Sequence, residues 1–184
     1  MADALQVLMT RRSVREFLGT QLSDDEVKTI VDAGLHAATA MNRQSWHFTV
    51  VQDRRLLDAI SGAVGAVMVD SGIPSLIERA RTTGFSCFHH APTVIFVSSD
   101  GSHYSLADCA NASQNMCLAA TALGLGSCYI GSFVQAFDHP SGKHLLAQFG
   151  LPENYKPVFS IALGHAAKAA FTEKEREWKV SYIR

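Results

Sequence analysis

Several signatures that would assign a function directly are missing from this chain. Its 184 residues contain only five prolines, no repeat and no low-complexity tract. No run of about 18 apolar residues occurs, so no membrane-spanning helix is expected. Cys87, Cys109, Cys117 and Cys128 form no CxxC pair. That spacing excludes a zinc or small disulfide scaffold, and the four are read as reduced and buried. An excess of one charge is missing too: 16 basic and 17 acidic side chains leave a net charge of -1. A nucleic-acid or anionic-membrane protein would carry a basic bias. The apolar part of MADALQVLMTRR is short, and its charge follows that stretch where a secretory leader has charge in front. A cytoplasmic protein is therefore expected.

Catalytic signatures are equally scarce. There is no Gly-x-Ser-x-Gly, and Cys128 has no cation adjacent in sequence to activate it. Cys87-Phe88-His89-His90 is the densest cluster of ligand types, yet no second pair lies at metal spacing, and no metal is expected. Gly124-Leu125-Gly126-Ser127 follows a helical pattern and precedes β-prone residues, the reverse of a dinucleotide turn. It is read as a helix stop.

What is present begins at Arg11-Arg12-Ser13-Val14-Arg15. Three guanidinium groups and a hydroxyl within five residues suit phosphate oxygens, although a solvated basic helix end would show the same string. Against a near-zero net charge, the cluster points to a small anion. Asn42-Arg43-Gln44-Ser45-Trp46 sets two amides before a β-prone run. Amides can read a heterocycle edge or make ordinary loop hydrogen bonds. Thr172-Glu173-Lys174-Glu175 opens as a capping box of a charged surface helix, with Arg176 next to it.

With 47% hydrophobic and 18% charged residues, one domain spanning residues 1–184 is expected. Helical period appears over Ala4–Met9 and again after Ser23, where Ser23 and Glu26 form a capping box. Trp46–Val51 reads as a strand. Leu56 to Val67 is helical, and Gly72-Ile73-Pro74 breaks before a short helix at Ser75–Thr82. Thr93–Val97 is a strand covered on both faces. Leu106–Leu123 is a long small-residue helix with Cys109, Ser113, Met116, Cys117 and Ala120 on one side. Cys128–Ile130 starts a strand, Gly142–Phe149 is helical and Pro157–Leu163 is a late strand. Alternating helices and strands give α/β or α+β, with helices on both sheet faces.

Four blocks together resemble the nitroreductase family of FMN-dependent oxidoreductases: RRSVREF, HAATAMNRQSWHFTVV, ADCANASQNMCLAATALGLGSCYIGSF and LPENYKPVFSIALGH. The resemblance implies an α+β sandwich, a mixed β-sheet flanked by helices, forming an entwined homodimer with FMN at the interface. It implies that Arg11, Arg12, Ser13 and Arg15 hold the phosphate and ribityl end, and that Arg11 or Arg15 faces the pyrimidine edge. Asn42 and Gln44 would contact flavin from the partner subunit. Tyr129, Ile130 and Gly131 would form the turn passing over it, and Lys174 and Arg176 would reach the phosphate.

Three departures stand out. Ser45 occupies the place of a usual proline, Gly131-Ser132 that of a Glu-Gly, and a proline-rich tail is missing after Gly164. The implied activity takes hydride from NADH or NADPH and reduces nitroaromatics, quinones or similar electron-poor acceptors by a ping-pong route, with no catalytic side chain required. A dehalogenase-like or substrate-oxidising enzyme, a non-catalytic flavin-binding sensor and a plain anion-binding domain are the alternatives. Residues 62–90 are expected to border the acceptor space.

Overall fold

The computed structural model describes residues 3–168 and 175–184. Five α-helices, four strands and three short 3-10 helices follow one another along them. The helices are α1 (Ala4–Thr10), α2 (Asp24–Leu35), α3 (Arg54–Asp70), α4 (Pro74–Arg81) and α5 (Ser105–Ala122); the strands are β1 (Trp46–Val51), β2 (Thr93–Ser99), β3 (Gly126–Ile130) and β4 (Lys156–Gly164). No helix among the described residues is long and apolar enough to cross a membrane.

The strands form one sheet in the order β1-β2-β4-β3, with every neighbouring pair antiparallel. The expected mixed sheet is thus reduced to one parallel bridge, Ser13 with Ser127. β2 lies in the sheet interior, and all seven of its residues are buried. That is why its middle, Val94–Val97, is a continuous apolar run without polar alternation.

Each face of the sheet carries its own core. On one face Val94, Phe96, Ala162, Cys128 and Ile130 pack with α3 and with Phe88, Phe133, Phe137 and Phe149. Phe96 is central there, with ring centroids 4.8 Å from Phe149 and 5.1 Å from Phe133. Truncating such a ring to alanine costs about 3–5 kcal/mol. On the other face Ile95, Val97, Ile161 and Leu163 meet α5 and Ile30 of α2.

The small-residue side of α5 (Cys109, Ser113, Met116, Cys117 and Ala120) is buried in the chain's own core. That side is therefore occupied before any second copy could pack on it. The capping box forms as read: Ser23 Oγ accepts from Glu26 N, and Ser23 N donates to Glu26 Oε2. Helix α5 ends at Gly124, whose φ of +75° is the left-handed value a side chain disfavours. Leu125 N bonds Ala120 O and Gly124 N bonds Thr121 O, a Schellman stop. Gly126 plays a different part from the helix stop read in the sequence, because it is already strand. The Gly142–Phe149 segment is a 3-10 helix over Lys143–Phe149, tighter than the helix expected there.

Candidate functional site

The tract Arg11–Leu18 leaves α1 and runs past the ends of β3 and β4. Val14 N donates to Ser127 O (2.9 Å) and Leu18 N to His165 O (2.8 Å). Phe17 bridges Ala166, and Ala167 N donates to Glu16 O. A Cβ at Gly126 would lie 2.9 Å from a Val14 methyl. The missing side chain therefore lets the tract sit close against β3.

This seating brings charge together without neutralising it. Among the described residues, Arg11, Arg12 and Arg15 have no carboxylate within ion-pair distance. Arg12 is partly used structurally, because its Nη1 donates to Met9 O and Arg11 O at the end of α1. Its Nε is buried with no partner. A buried unpaired donor costs about 1–3 kcal/mol, so an acceptor is expected there. The Arg11 and Arg15 guanidinium groups make no hydrogen bond among the described residues.

The neighbouring groups register this field. Burial lowers the His89 pKa, and Arg15, Arg79 and His90 lower it further. Burial raises the Cys128 thiol, opposed by Arg15 and Arg11. Burial pushes Cys117 up to about 11. The fold thus supplies Cys128 with the cations its sequence neighbours lack, yet burial prevails and the thiol stays protonated.

β3 carries the site forward from the tract. Four residues beyond Ser127, about 13 Å along the strand, the chain reaches Gly131. Tyr129 is half-buried against Phe159 (5.1 Å between rings), and Ile130 is buried. Burial pushes the Tyr129 hydroxyl up to about 12, so it remains protonated. Gly131 is exposed, with nothing within 4 Å of the place a Cβ would take. As the outermost strand on this side, β3 pairs only with β4 beyond the Ser13 bridge.

Asn42 and Gln44 lie elsewhere. Their loop precedes β1, at the sheet end where Trp46 faces Ser99, whereas the Arg tract lies at the end where Gly126 faces Gly164. Three strand spacings and six residues separate these corners, roughly 25 Å. One chain therefore does not bring the two groups together around a single small molecule. Gln44 Nε2 donates to Asn42 Oδ1 (3.2 Å), and Met41, Asn42 and Gln44 hold φ of 53°, 53° and 51°. Left-handed side-chain-bearing residues cost about 1–3 kcal/mol each and persist only where surroundings enforce them. Lys174 lies outside the described residues, and Arg176 is exposed in the 175–184 segment, which has no secondary structure.

Sequence reasoning missed Arg79 and Asp108 and weighed His89 only as a metal ligand. The charges of Arg15 and Arg79 reach His89 only through the fold. Asp108 had a readable signal, an acid on the otherwise apolar and small stripe of α5. His90 bonds Arg54 Nη2 (2.8 Å) and Gly84 O (2.7 Å). Among the described residues, no three His, Cys, Asp or Glu side chains gather into a metal-binding group.

This fold is that of a known class. The nitroreductase family model matches residues 8–165, and the chain belongs to that family. It is 31% identical, over 90% of its own length and 86% of the relative's, to a protein of Archaeoglobus fulgidus provisionally named NADH dehydrogenase/NAD(P)H nitroreductase. It also superposes on FMN-bound nitroreductase crystal structures from Bacteroides fragilis (TM-score 0.90, 31% identity) and Desulfitobacterium hafniense (TM-score 0.91, 29% identity). In both, the match covers 100% of each chain.

Proposed function

We propose that this protein is an FMN-dependent NAD(P)H oxidoreductase that works as a homodimer and reduces nitroaromatics, quinones or similar electron-poor acceptors. The observation that carries this reading is the uncompensated Arg11-Arg12-Ser13-Arg15 corner with its orphaned Arg12 Nε. A phosphate there would supply the missing anion and the missing acceptor. Bound there, FMN would supply the two-electron redox chemistry that links NADH or NADPH to the acceptor in two half-reactions.

The chain's own residues bind and orient. Arg11, Arg12 and Ser13 hold the phosphate end, and Arg15, whose charge reaches His89, faces the ring side. Tyr129, Ile130 and Gly131 form the wall along β3, where the bare Gly131 leaves room. Asn42 and Gln44 contact the ring from the second copy, because their own Arg tract lies at the far corner. Lys174 and Arg176 join the phosphate on the strength of the K-x-R resemblance alone.

Exposed Leu5, Leu8 and Met9 on α1, and Trp178, Val180 and Tyr182 near the C-terminus, are apolar surface that a second copy would cover. Residues 1–184 are read as one domain, with the four-stranded sheet of the described residues at its centre. The cytoplasm is the compartment that fits four free, buried cysteines.

The test is a visible spectrum of the purified protein, followed by anaerobic addition of NADH and then NADPH. Flavin bands that bleach are expected. Flavin bands untouched by both nicotinamides would overturn the electron donor, and a colourless protein that ignores added FMN would overturn the cofactor.

A further inference from the structure

The Asn42–Gln44 loop is held by one face of α5. Asp108, Asn111 and Asn115 follow each other at intervals of three and four residues, which aligns them on one side of a helix. Each takes a backbone group of the segment leading into the loop. Asn115 Nδ2 donates to Ala33 O (3.1 Å), Asn111 Nδ2 to Ala38 O (3.1 Å), and Ala40 N donates to Asp108 Oδ1 (3.0 Å). Asp108 is the last support before the chain enters the left-handed stretch at Met41, Asn42 and Gln44. It is also the most deeply placed, at 2% exposure, and its Oδ2 has no partner among the described residues.

A carboxylate removed from water in the first turn of a core helix is costly unless its bonds are needed. The bond it makes does not tie one core element to another. It anchors a loop in which three residues hold positive φ and whose two amides, Asn42 and Gln44, are exposed.

We propose that Asp108 is a positioning residue for the flavin site: through Ala40 N it fixes the Ala40–Gln44 loop in the conformation that presents Asn42 and Gln44. This rests on the reading that the two amides contact FMN. Since the loop stands at the corner opposite its own Arg tract, Asp108 of one subunit acts on the flavin of the other. Asp108 touches no reacting atom and takes no part in electron or proton transfer.

The experiment measures FMN affinity of the full-length flavin-free protein by fluorescence quenching, for Gln44→Ala, Asp108→Ala, their combination and Asp108→Asn. Gln44→Ala and Asp108→Ala are each expected to weaken FMN about tenfold, the loss of one hydrogen bond's worth of binding. The pair should weaken it no further than either alone, because both act through one loop. Asp108→Asn retains an acceptor oxygen for Ala40 N and should remain close to the parent affinity. A purely structural Asp108 would instead give additive losses and no rescue.

If Gln44→Ala weakens FMN while Asp108→Ala does not, or if the two losses add, the role given to Asp108 is wrong and the loop contact stands. If Gln44→Ala leaves FMN affinity unchanged, the loop contact is wrong and the proposal falls with it. Should Asp108→Ala fail to fold, Ala40→Pro removes the same bond from the other side. Thr39 is already extended (φ −130°, ψ 150°), as a residue before proline must be. Ala40→Pro is then expected to weaken FMN about tenfold, and unchanged affinity would overturn the proposal.

Discussion

The two corners of the sheet are built on opposite principles. At the Gly126 corner the strand backbone is relaxed and closely packed, and the tension is electrostatic: among the described residues, Arg11, Arg12 and Arg15 have no carboxylate within ion-pair distance. At the Trp46 corner no cluster of like charges gathers among the described residues, and the tension is in the backbone, with three consecutive or near-consecutive residues at positive φ. A charged corner binds by attraction and tolerates small displacements. A strained corner works only if its shape is held, which here falls to a buried carboxylate. One site assembled from both would take affinity from the first and register from the second.

The largest effects should come from breaking the charged corner. Arg11→Ala removes a guanidinium with no structural partner, and losing one charge-assisted bond costs about 1.5–3 kcal/mol of cofactor binding. The variant should purify substantially flavin-free, with unchanged thermal stability of the flavin-free form. Arg12→Ala should lose flavin as well, but also stability, since it removes the bonds to Met9 O and Arg11 O. Flavin content from the visible spectrum and apo-protein melting separate the two.

Joining the corners gives the next effect. Co-expressed Arg11→Ala and Gln44→Ala chains, purified as the mixed dimer, should recover flavin in half of their sites. A site taking its Arg tract from one chain and its loop from the other is intact in one of the two arrangements. Recovery of none would mean that each site lies within one chain.

A subtler break spares both sets of side chains. Gly126→Ala would set a methyl against Val14, and overpacking of this kind costs typically about 1–3 kcal/mol. The tract would lift from β3, so FMN affinity should fall although every arginine remains. Adding Val14→Ala should restore it.

The smallest effect is the pH dependence contributed by His89. Its folded-state pKa is depressed by burial, Arg15, Arg79 and His90. Above the unfolded value of about 6.5 the ring is neutral in both states and stability is complete. As the pH falls below that value the unfolded chain takes up the proton first, so stability declines toward the folded pKa. His89→Asn should flatten this decline in apo-protein melting between pH 7 and pH 5. A bound anion beside Arg15 should flatten it too, by screening the cations.

The elements themselves were legible because their causes are local. Ser23 and Glu26 define a capping box from side chains three residues apart. Ala91-Pro92 followed by TVIFV marks a buried strand, and Gly124 stops α5 within one turn. Local rules were silent on two points. Gly126 was read as helix punctuation when its role is to admit Val14, a residue 112 positions earlier in the chain. The Lys143–Phe149 segment has helical composition, but its tight 3-10 winding is settled by packing of Leu145 and Phe149 under the sheet.

The same division runs through the site. Sequence alone determined the chemistry offered: a cluster of arginines too dense for a neutral protein to leave unmatched, two amides before a strand, and a glycine turn after another. Those are matters of side-chain type and spacing, which the chain carries wherever it goes. Only the tertiary structure decided which groups share a corner. It brought the charges of Arg15 and Arg79 within reach of His89, left Arg12 Nε without a partner among the described residues, and placed Asn42 and Gln44 across the sheet from the arginines they were grouped with. The physical reason is that electrostatic and hydrogen-bond energies depend on distances of a few ångströms, which strand order and register determine and sequence separation does not.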